Sequence, residues 1–289
     1  RKQPPVIKTV ESGKRLSDVD VIAFSLSFEN DYAHILTILE NIGLPLRADQ
    51  RDERHPLVIA GGVACFLNPE PIAAFFDCFL IGEAEAIMPR FLEIFAPGNK
   101  RRSMLKKLAS EVSGAYVPAF YEVKYQRDGT IAAFNPREAV PTGVKRAYLK
   151  DLADSATCSA ILTPDTAFER THLVEVARGC PHGCRFCAAG FIYRPPRFRP
   201  ISALANDIDQ GVSQTDRIGL VGAAVSDLPG LGELCGQYQD KDIRISFSSL
   251  RADGLSAELL SALKHGNVKT ATIAPDAGSE RMRKVINKG

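Results

Sequence analysis

The feature that most constrains the fold is an alternation of short, continuously apolar runs with longer runs of helical periodicity. In the first third of the chain, the apolar runs are residues 19–26, 57–62 and 78–83, and the helical runs are residues 31–42, 71–76 and 86–95. Apolar strands that alternate with helices build a doubly wound parallel α/β sheet. We therefore predict such a domain over residues 1–114. Three strands are few and no Met opens the sequence, so we expect this domain to be partial.

A change of period to two then marks a β-hairpin. Tyr121, Val123 and Tyr125 alternate with polar residues, and Asp128-Gly129 supplies the turn. We expect the aromatic stripe to pack as a connector face, with a stacking platform for bases as the alternative. A polar stretch containing proline follows, and residues 115–170 are predicted to be the hairpin and an inter-domain linker.

A second series of strands and helices follows the linker. The predicted strands are residues 173–177, 218–225, 243–250 and 268–275, and the predicted helices are residues 202–210, 231–238, 255–265 and one that opens at Gly278. This order predicts a parallel (β/α) barrel over residues 171–289. Four strands are about half of an eight-stranded barrel of ~250 residues, so we expect the barrel to be partial as well.

Composition limits the classes of partner. The chain has 289 residues, 45% of them apolar, and a formal net charge of +2. This balance gives no general attraction to nucleic acid or lipid. The longest apolar stretches fall short of the ~18 residues of a spanning helix, and the start lacks the apolar region of a signal peptide. These observations predict a cytoplasmic protein with no membrane partner.

Three of the seven cysteines, Cys180, Cys184 and Cys187, form a C-x3-C-x2-C motif directly after a predicted strand. Three thiolates on one loop can hold three irons of a [4Fe-4S] cluster, which leaves the fourth iron open to a substrate or cofactor. Zinc would need a fourth ligand such as His182, which lies within the tight loop. A redox pair of Cys184 and Cys187 would leave Cys180 without a role.

The residues around this motif have simpler expectations. Basic side chains at Arg178, His182 and Arg185 can favour thiolates and offset cluster charge, or can form a solvated rim. The remaining cysteines are scattered and mostly read as small core residues, and they are Cys65, Cys78, Cys158 and Cys235.

The loop, with Phe186 before its last cysteine, resembles the signature of the radical SAM superfamily. The stretches GCRFCAAGFIYRPPRFRP, SFSSLRAD and IAPDAGSERMRKVINKG resemble an uncharacterised branch that carries a cobalamin-binding-like domain in front of the barrel. The resemblance implies cluster ligands at Cys180, Cys184 and Cys187. It also implies S-adenosylmethionine bound at the open iron and cleaved to methionine and a 5'-deoxyadenosyl radical, with a one-electron donor such as flavodoxin or ferredoxin.

The same resemblance suggests residues for the S-adenosylmethionine site. Phe186 matches the aromatic that shields the cluster near the adenine. Asp276 stands where many members carry a Glu for the ribose or methionine end. The remaining candidates are the backbone of Gly222, Ala223 and Ala224 for the methionine amine and the polar lining residues Ser246, Ser248 and Arg251.

The front domain leaves cobalamin as an open question. Domains that displace the lower base use Asp-x-His-x-x-Gly, and no histidine of this chain has an Asp two residues before it. Gly61-Gly62 and the turn from Gly82 to Glu85 resemble phosphate- and corrin-facing loops. A cobalamin-binding domain and a cobalamin-free one both fit these residues.

Two further functions fit parts of the sequence. RNA or protein methylation or methylthiolation is suggested by the basic and aromatic run FIYRPPRFR, whose residues suit phosphate contact and base stacking. Methylthiolating relatives carry a second cluster on three front-domain cysteines, whereas this chain offers two. A non-catalytic iron-sulfur electron carrier would need a fourth ligand, and Cys158 and Cys235 are distant in sequence. The sequence does not define the substrate.

Overall fold

The computed structural model of the chain describes residues 6–248, 250–265 and 272–288. The chain divides into two compact units, Arg1–Leu149 and Lys150–Gly289. The predicted hairpin belongs to the first unit, and the predicted linker is divided between the two. No helix of the described residues is both long enough and apolar enough to cross a membrane.

The first unit is built on a four-stranded sheet in the order β1-β2-β3-β4. Its strands are β1 (Val21–Ser25), β2 (Leu57–Gly61), β3 (Cys78–Leu80) and β4 (Ala115–Tyr116). The first three pair in parallel, with Val21 beside Leu57 and Ile59 beside Cys78. The predicted parallel sheet is therefore confirmed, and β4 adds an antiparallel edge that the sequence reasoning did not include.

Four α-helices accompany this sheet from residue 6 onward. They are α1 (Tyr32–Asn41), α2 (Val63–Leu67), α3 (Ala84–Ile94) and α4 (Arg101–Glu111). Helices α1 and α3 confirm the prediction. The predicted helix at residues 71–76 is instead a 3-10 helix, Glu70–Phe75. Helix α4 was missed, although Met104, Leu105 and Leu108 are buried at helical spacing.

The predicted hairpin is present as β5 (Tyr121–Tyr125) and β6 (Ile131–Pro136), which pair antiparallel. The ring of Tyr121 is buried and stacks on Phe134, with centroids 4.6 Å apart. Tyr116 contacts both rings. This end of the aromatic stripe is a packed face, as predicted, whereas Tyr125 at the other end is exposed.

The second unit contains a parallel sheet in the order β11-β10-β7 and a short antiparallel ribbon of β8 and β9. These strands are β7 (His172–Glu175), β8 (Ala177–Arg178), β9 (Arg197–Phe198), β10 (Arg217–Val221) and β11 (Arg244–Phe247). All pairings of β10 are parallel, with Ile218 beside both His172 and Ile245. The part of a parallel barrel predicted from the sequence is confirmed in these strands.

The described residues of this unit form five α-helices: α5 (Ala189–Ile192), α6 (Ile201–Val212), α7 (Leu231–Gly236), α8 (Ala257–His265) and α9 (Glu280–Val285). The strand side chains Val174, Ile218 and Leu220 are buried. They form one hydrophobic core with helix side chains such as Leu204 and Leu234. The predicted strand over residues 268–275 lies partly outside the described residues. Its described residue Ile273 forms a parallel bridge with Leu250.

Candidate functional site

The cysteine loop, residues 179–196, is closed at its base by the β8-β9 ribbon. Ala177 pairs with Phe198 and Arg178 with Arg197, so both ends of the loop are fixed at one place. Gly179 makes the first turn with φ at +82°, and a Cβ there would lie 2.5 Å from the Tyr193 carbonyl oxygen. Only glycine fits this close approach without strain.

The three loop cysteines are free and partly buried. Burial raises the pKa of the Cys180 thiol, and the nearby charges of Asp227, Cys184 and Cys187 raise it further, while a hydrogen bond from the His182 backbone N–H opposes the rise. The three thiols are thus close enough to influence one another. A bound metal would be needed to hold Cys180 as a thiolate at neutral pH.

This donor set fits an iron-sulfur cluster. In the cluster chemistry each cysteine binds a different iron, so the sulfurs surround the cluster rather than meet at one point. Across the described ranges, no three His, Cys, Asp or Glu side chains meet in the geometry of one bound metal ion. Cys180, Cys184 and Cys187 supply three soft ligands from one loop, at the carboxyl edge of a parallel sheet where such folds collect reactive groups.

The basic residues beside the cysteines have other partners than the sequence suggested. Arg178 is buried, donates to the Glu175 carboxylate at 2.9 Å and reaches Thr157. Arg185 donates to the Val285 carbonyl oxygen at 2.6 Å. These two guanidinium groups therefore hold the loop against neighbouring segments. Their expected role of offsetting cluster charge stays a prediction.

Asp227 is a site residue that the sequence reasoning missed. It lies in the turn after β10, and its Oδ2 is 2.5 Å from Nε2 of His182 in the cysteine loop. The contact joins the loop to the carboxyl end of the neighbouring strand. A carboxylate a few residues after a parallel strand was the available signal, but nothing in the local pattern pairs it with His182.

The predicted backbone site at Gly222 meets the predicted Ser248. The Ser248 hydroxyl accepts from Gly222 N–H at 3.1 Å and lies 3.0 Å from the Gly222 carbonyl oxygen. That carbonyl keeps a second lone pair for a ligand, and Ala223 beside it is exposed. Ser246 shares the face of Ser248, but its hydroxyl donates to the Ile218 carbonyl within the sheet.

Arg251 is brought to the cysteine loop. A hydrogen bond to Asp253 at 2.6 Å raises the pKa of its guanidinium, and the charges of Asp227 and Cys184 add to this effect. Its backbone N–H donates to Ser226, in the turn after β10. A positive charge thus lies within electrostatic reach of Cys184. The role of Arg251 as a residue that lines the site stays a prediction.

The segment of α9 and its flanks contacts the cysteine loop directly. Arg185 N–H donates to the Ile286 carbonyl at 2.9 Å, and the Asn287 amide donates to the Gly183 carbonyl at 2.8 Å. Phe186 is exposed, with the Lys288 ammonium 5.9 Å from its ring centroid.

Asp276 is not among the residues that touch the loop in this way. Its carboxylate accepts from Lys288, and its backbone φ is +59°. The predicted contact with S-adenosylmethionine stays a prediction. The ion pair with Lys288 nevertheless links Asp276 to the residue that faces Phe186.

The basic and aromatic run after the cysteines contributes less to the surface than its composition suggested. Arg199 is buried and pairs with Asp207 at 2.5 Å. Arg197 is also buried. Arg194 is exposed and stacks over Phe191, 4.5 Å from the ring centroid. Two of the three arginines that favoured RNA are therefore inside the second unit.

The scattered cysteines are mainly core residues. Cys65, Cys78 and Cys235 are buried, as predicted, whereas Cys158 is half-buried. Burial raises the pKa of Cys65 to about 12 and that of Cys235 to about 11. Such thiols are poor metal ligands because they resist ionisation.

Two family models match this chain. Residues 174–289 match the Radical SAM superfamily, and residues 1–118 match the N-terminal domain described as Radical SAM proteins, N-terminal. The matches thus define a radical SAM protein whose radical SAM domain is preceded in sequence by an N-terminal domain. The chain belongs to the radical SAM superfamily. Membership implies S-adenosylmethionine and a [4Fe-4S] cluster as cofactors.

Two similar proteins give context. The uncharacterized protein MJ0966 of Methanocaldococcus jannaschii is 33% identical over 282 residues, which cover 96% of this chain and 54% of that protein. The chain therefore spans about half the length of this curated relative. A solved structure of the cobalamin-dependent S-adenosylmethionine radical enzyme OxsB, with aqua-cobalamin and S-adenosylmethionine bound, is 17% identical with a TM-score of 0.54. The aligned region covers 93% of this chain and 37% of the OxsB chain, and the similarity concerns the fold.

Proposed function

We propose that this chain is the cofactor-binding part of a radical SAM enzyme. The observation that carries the proposal is a set of three free, partly buried thiols on one loop, fixed at the carboxyl edge of a parallel sheet. When bound there, the cluster supplies an electron to S-adenosylmethionine, and the reductive cleavage yields methionine and a 5'-deoxyadenosyl radical that acts on an organic substrate. A one-electron donor such as flavodoxin or ferredoxin is the proposed partner.

The residues of the chain have separate tasks in this proposal. Cys180, Cys184 and Cys187 hold three irons and leave the fourth for the amino and carboxylate groups of S-adenosylmethionine. Arg251, within electrostatic reach of Cys184, offsets negative charge at the cluster. Ser248 holds the Gly222 peptide in one orientation, so that its carbonyl can accept from the methionine amine.

Iron binding is the first test. Anaerobically reconstituted protein should contain four irons per chain in its [4Fe-4S] cluster, and Cys184→Ala should lose it. Cys235→Ala is the matched control because Cys235 is buried in the core of the same unit. Iron and sulfide analysis measures both. Retention of a full cluster by Cys184→Ala would overturn the assignment of the ligands.

Cleavage of S-adenosylmethionine is the second test. The intact protein with a verified, reduced cluster should release 5'-deoxyadenosine and methionine under anaerobic conditions, as measured by mass spectrometry. Formation of 5'-deoxyadenosine separates this enzyme from an iron-sulfur electron carrier. A reduced cluster without any 5'-deoxyadenosine would contradict the proposed activity and favour the carrier.

A further inference from the structure

We propose that the carboxyl edge of the front sheet is closed by the chain itself and takes no cobalamin. The closing element is residues 146–149, here named the strap. This edge is where a doubly wound sheet ordinarily binds its ligand. It is also where the loops at Gly61-Gly62 and Gly82 resemble those that face a corrin and its phosphate.

The strap pairs with the loop after β3 as a strand would. Gly82 forms a parallel bridge with Ala147. Ala147 N–H donates to the Ile81 carbonyl at 3.0 Å, and Glu83 N–H donates to the Ala147 carbonyl at 2.9 Å. The Glu83 N–H, a backbone donor that a ligand phosphate could use at this loop, is thus already engaged by the strap.

Glu83 fastens the strap through its side chain. One carboxylate oxygen accepts from Leu149 N–H at 3.0 Å, and the other lies 3.3 Å from the Arg146 guanidinium. Glu83 is 6% exposed, so these contacts are shielded from water. A ligand that displaced the strap would remove these two contacts from a buried carboxylate, which is unfavourable.

The glycines at this edge are explained by the chain's own packing. A Cβ on Gly82 would lie 2.2 Å from the Ala147 carbonyl oxygen, and φ is +146°. A Cβ on Gly62 would lie 2.5 Å from the Leu26 carbonyl oxygen, and φ is +95°. The missing side chains therefore admit backbone segments of the same unit. A bound cofactor is not required to explain why these two residues are glycines.

The space that remains is small and apolar. The cavity at this edge has a volume of about 210 Å³ and is lined by residues such as Ser25, Gly61, Leu80 and Met88. Pockets for drug-sized ligands span ~300–1,000 Å³, and cobalamin is larger than such ligands. Among the residues that the structure describes, no histidine lines this cavity to bind cobalt from below. The residues at the edge do not fit the cofactor.

Hydroxocobalamin is the probe for the test. The full chain is incubated with an excess, passed through gel filtration and assayed by absorption, while hydrogen exchange is followed at the amides of Glu83 and Ala147. We expect no retained cobalamin and the same protection with and without it. Retention of one equivalent, or loss of protection at Ala147 when hydroxocobalamin is present, would overturn the proposal.

A matched pair of variants tests the closure itself. Arg146→Ala removes the guanidinium from Glu83 and should speed exchange at Ala147 about tenfold, the effect of one lost charged hydrogen bond. Lys145→Ala removes a positive charge from the neighbouring exposed residue and should leave this exchange unchanged. Equal exchange in the two variants would overturn the role given to Arg146 and Glu83. Neither measurement depends on the iron-sulfur site in the second unit.

Discussion

Replacing Gly179 by Ala tests whether the first turn of the cysteine loop fixes the cluster ligands. The residue directly precedes Cys180, its φ is +82°, and a Cβ would lie 2.5 Å from the Tyr193 carbonyl oxygen. A left-handed conformation costs an L-residue about 1–2 kcal/mol, and overpacking costs about 1–3 kcal/mol. The second contact is with Pro196 Cα at 3.2 Å, also backbone, so the strain cannot be relieved by moving a side chain.

Gly179→Ala should therefore lower the free energy of unfolding by about 2–5 kcal/mol, a large share of the ~5–15 kcal/mol of a typical domain. At about 2–4 °C per kcal/mol, the unfolding midpoint of the second unit should fall by at least ~4 °C. Reconstituted iron should fall as well, because Cys180 moves with the turn. Calorimetry and iron analysis measure the two effects.

Gly278→Ala is the control for this change. An added Cβ at Gly278 meets no atom of the described residues within 4 Å, and φ is not in the left-handed region. The control should keep the wild-type midpoint and iron content. If Gly179→Ala matched wild type in both measurements, the reasoning from the turn geometry would be refuted.

Two further predictions follow from single side chains. Asn287→Gly keeps the φ of +56° accessible but removes the side-chain amide that donates to the Gly183 carbonyl. Hydrogen exchange at the Arg185 amide, measured by mass spectrometry, should therefore become about two- to tenfold faster. An unchanged rate would contradict the role of Asn287 in holding the cysteine loop. Burial raises the pKa of Cys235 from 9.0 to about 11, so its thiol should resist iodoacetamide at pH 8 in the folded protein. Burial of the neutral thiol stabilises the folded state fully below pH 9, and this contribution is lost as the pH rises through about 11, where labelling should begin. Peptide mapping that finds Cys235 alkylated at pH 8 without denaturant would argue against its burial.

The strands of the parallel sheets could be predicted because each is a short apolar run between helix-like stretches. Helix α4 was missed although Met104, Leu105 and Leu108 are at helical spacing, because its first residues are charged and no capping residue marks its start. Strand β4 could not be predicted from local pattern. Its two residues, Ala115 and Tyr116, become a strand only by pairing with Phe79 and Leu80, which lie far away in sequence.

The candidate site divides in the same way. The three cysteines are recognisable because their spacing is local, and Gly222 and Ser248 lie in the carboxyl-terminal halves of the predicted strands 218–225 and 243–250. Contacts between residues that are distant in sequence have no local pattern from which they could be predicted. His182 meets Asp227 across 45 positions. Nor can composition tell which way a basic side chain turns, and Arg199 is turned inward to Asp207.

The cysteine loop therefore depends on distant parts of the second unit for its shape. The β8-β9 ribbon closes the base of the loop, and Asp227, in the turn after β10, contacts His182. Ile286 and Asn287, directly after α9, bond to the loop at Arg185 and Gly183. An isolated peptide with the same three cysteines would keep the thiols and lose all these ties. Since ordering the loop costs conformational entropy, a folded unit that has already ordered it binds a cluster more favourably than the peptide does. In that sense the fold contributes directly to the chemistry of the site.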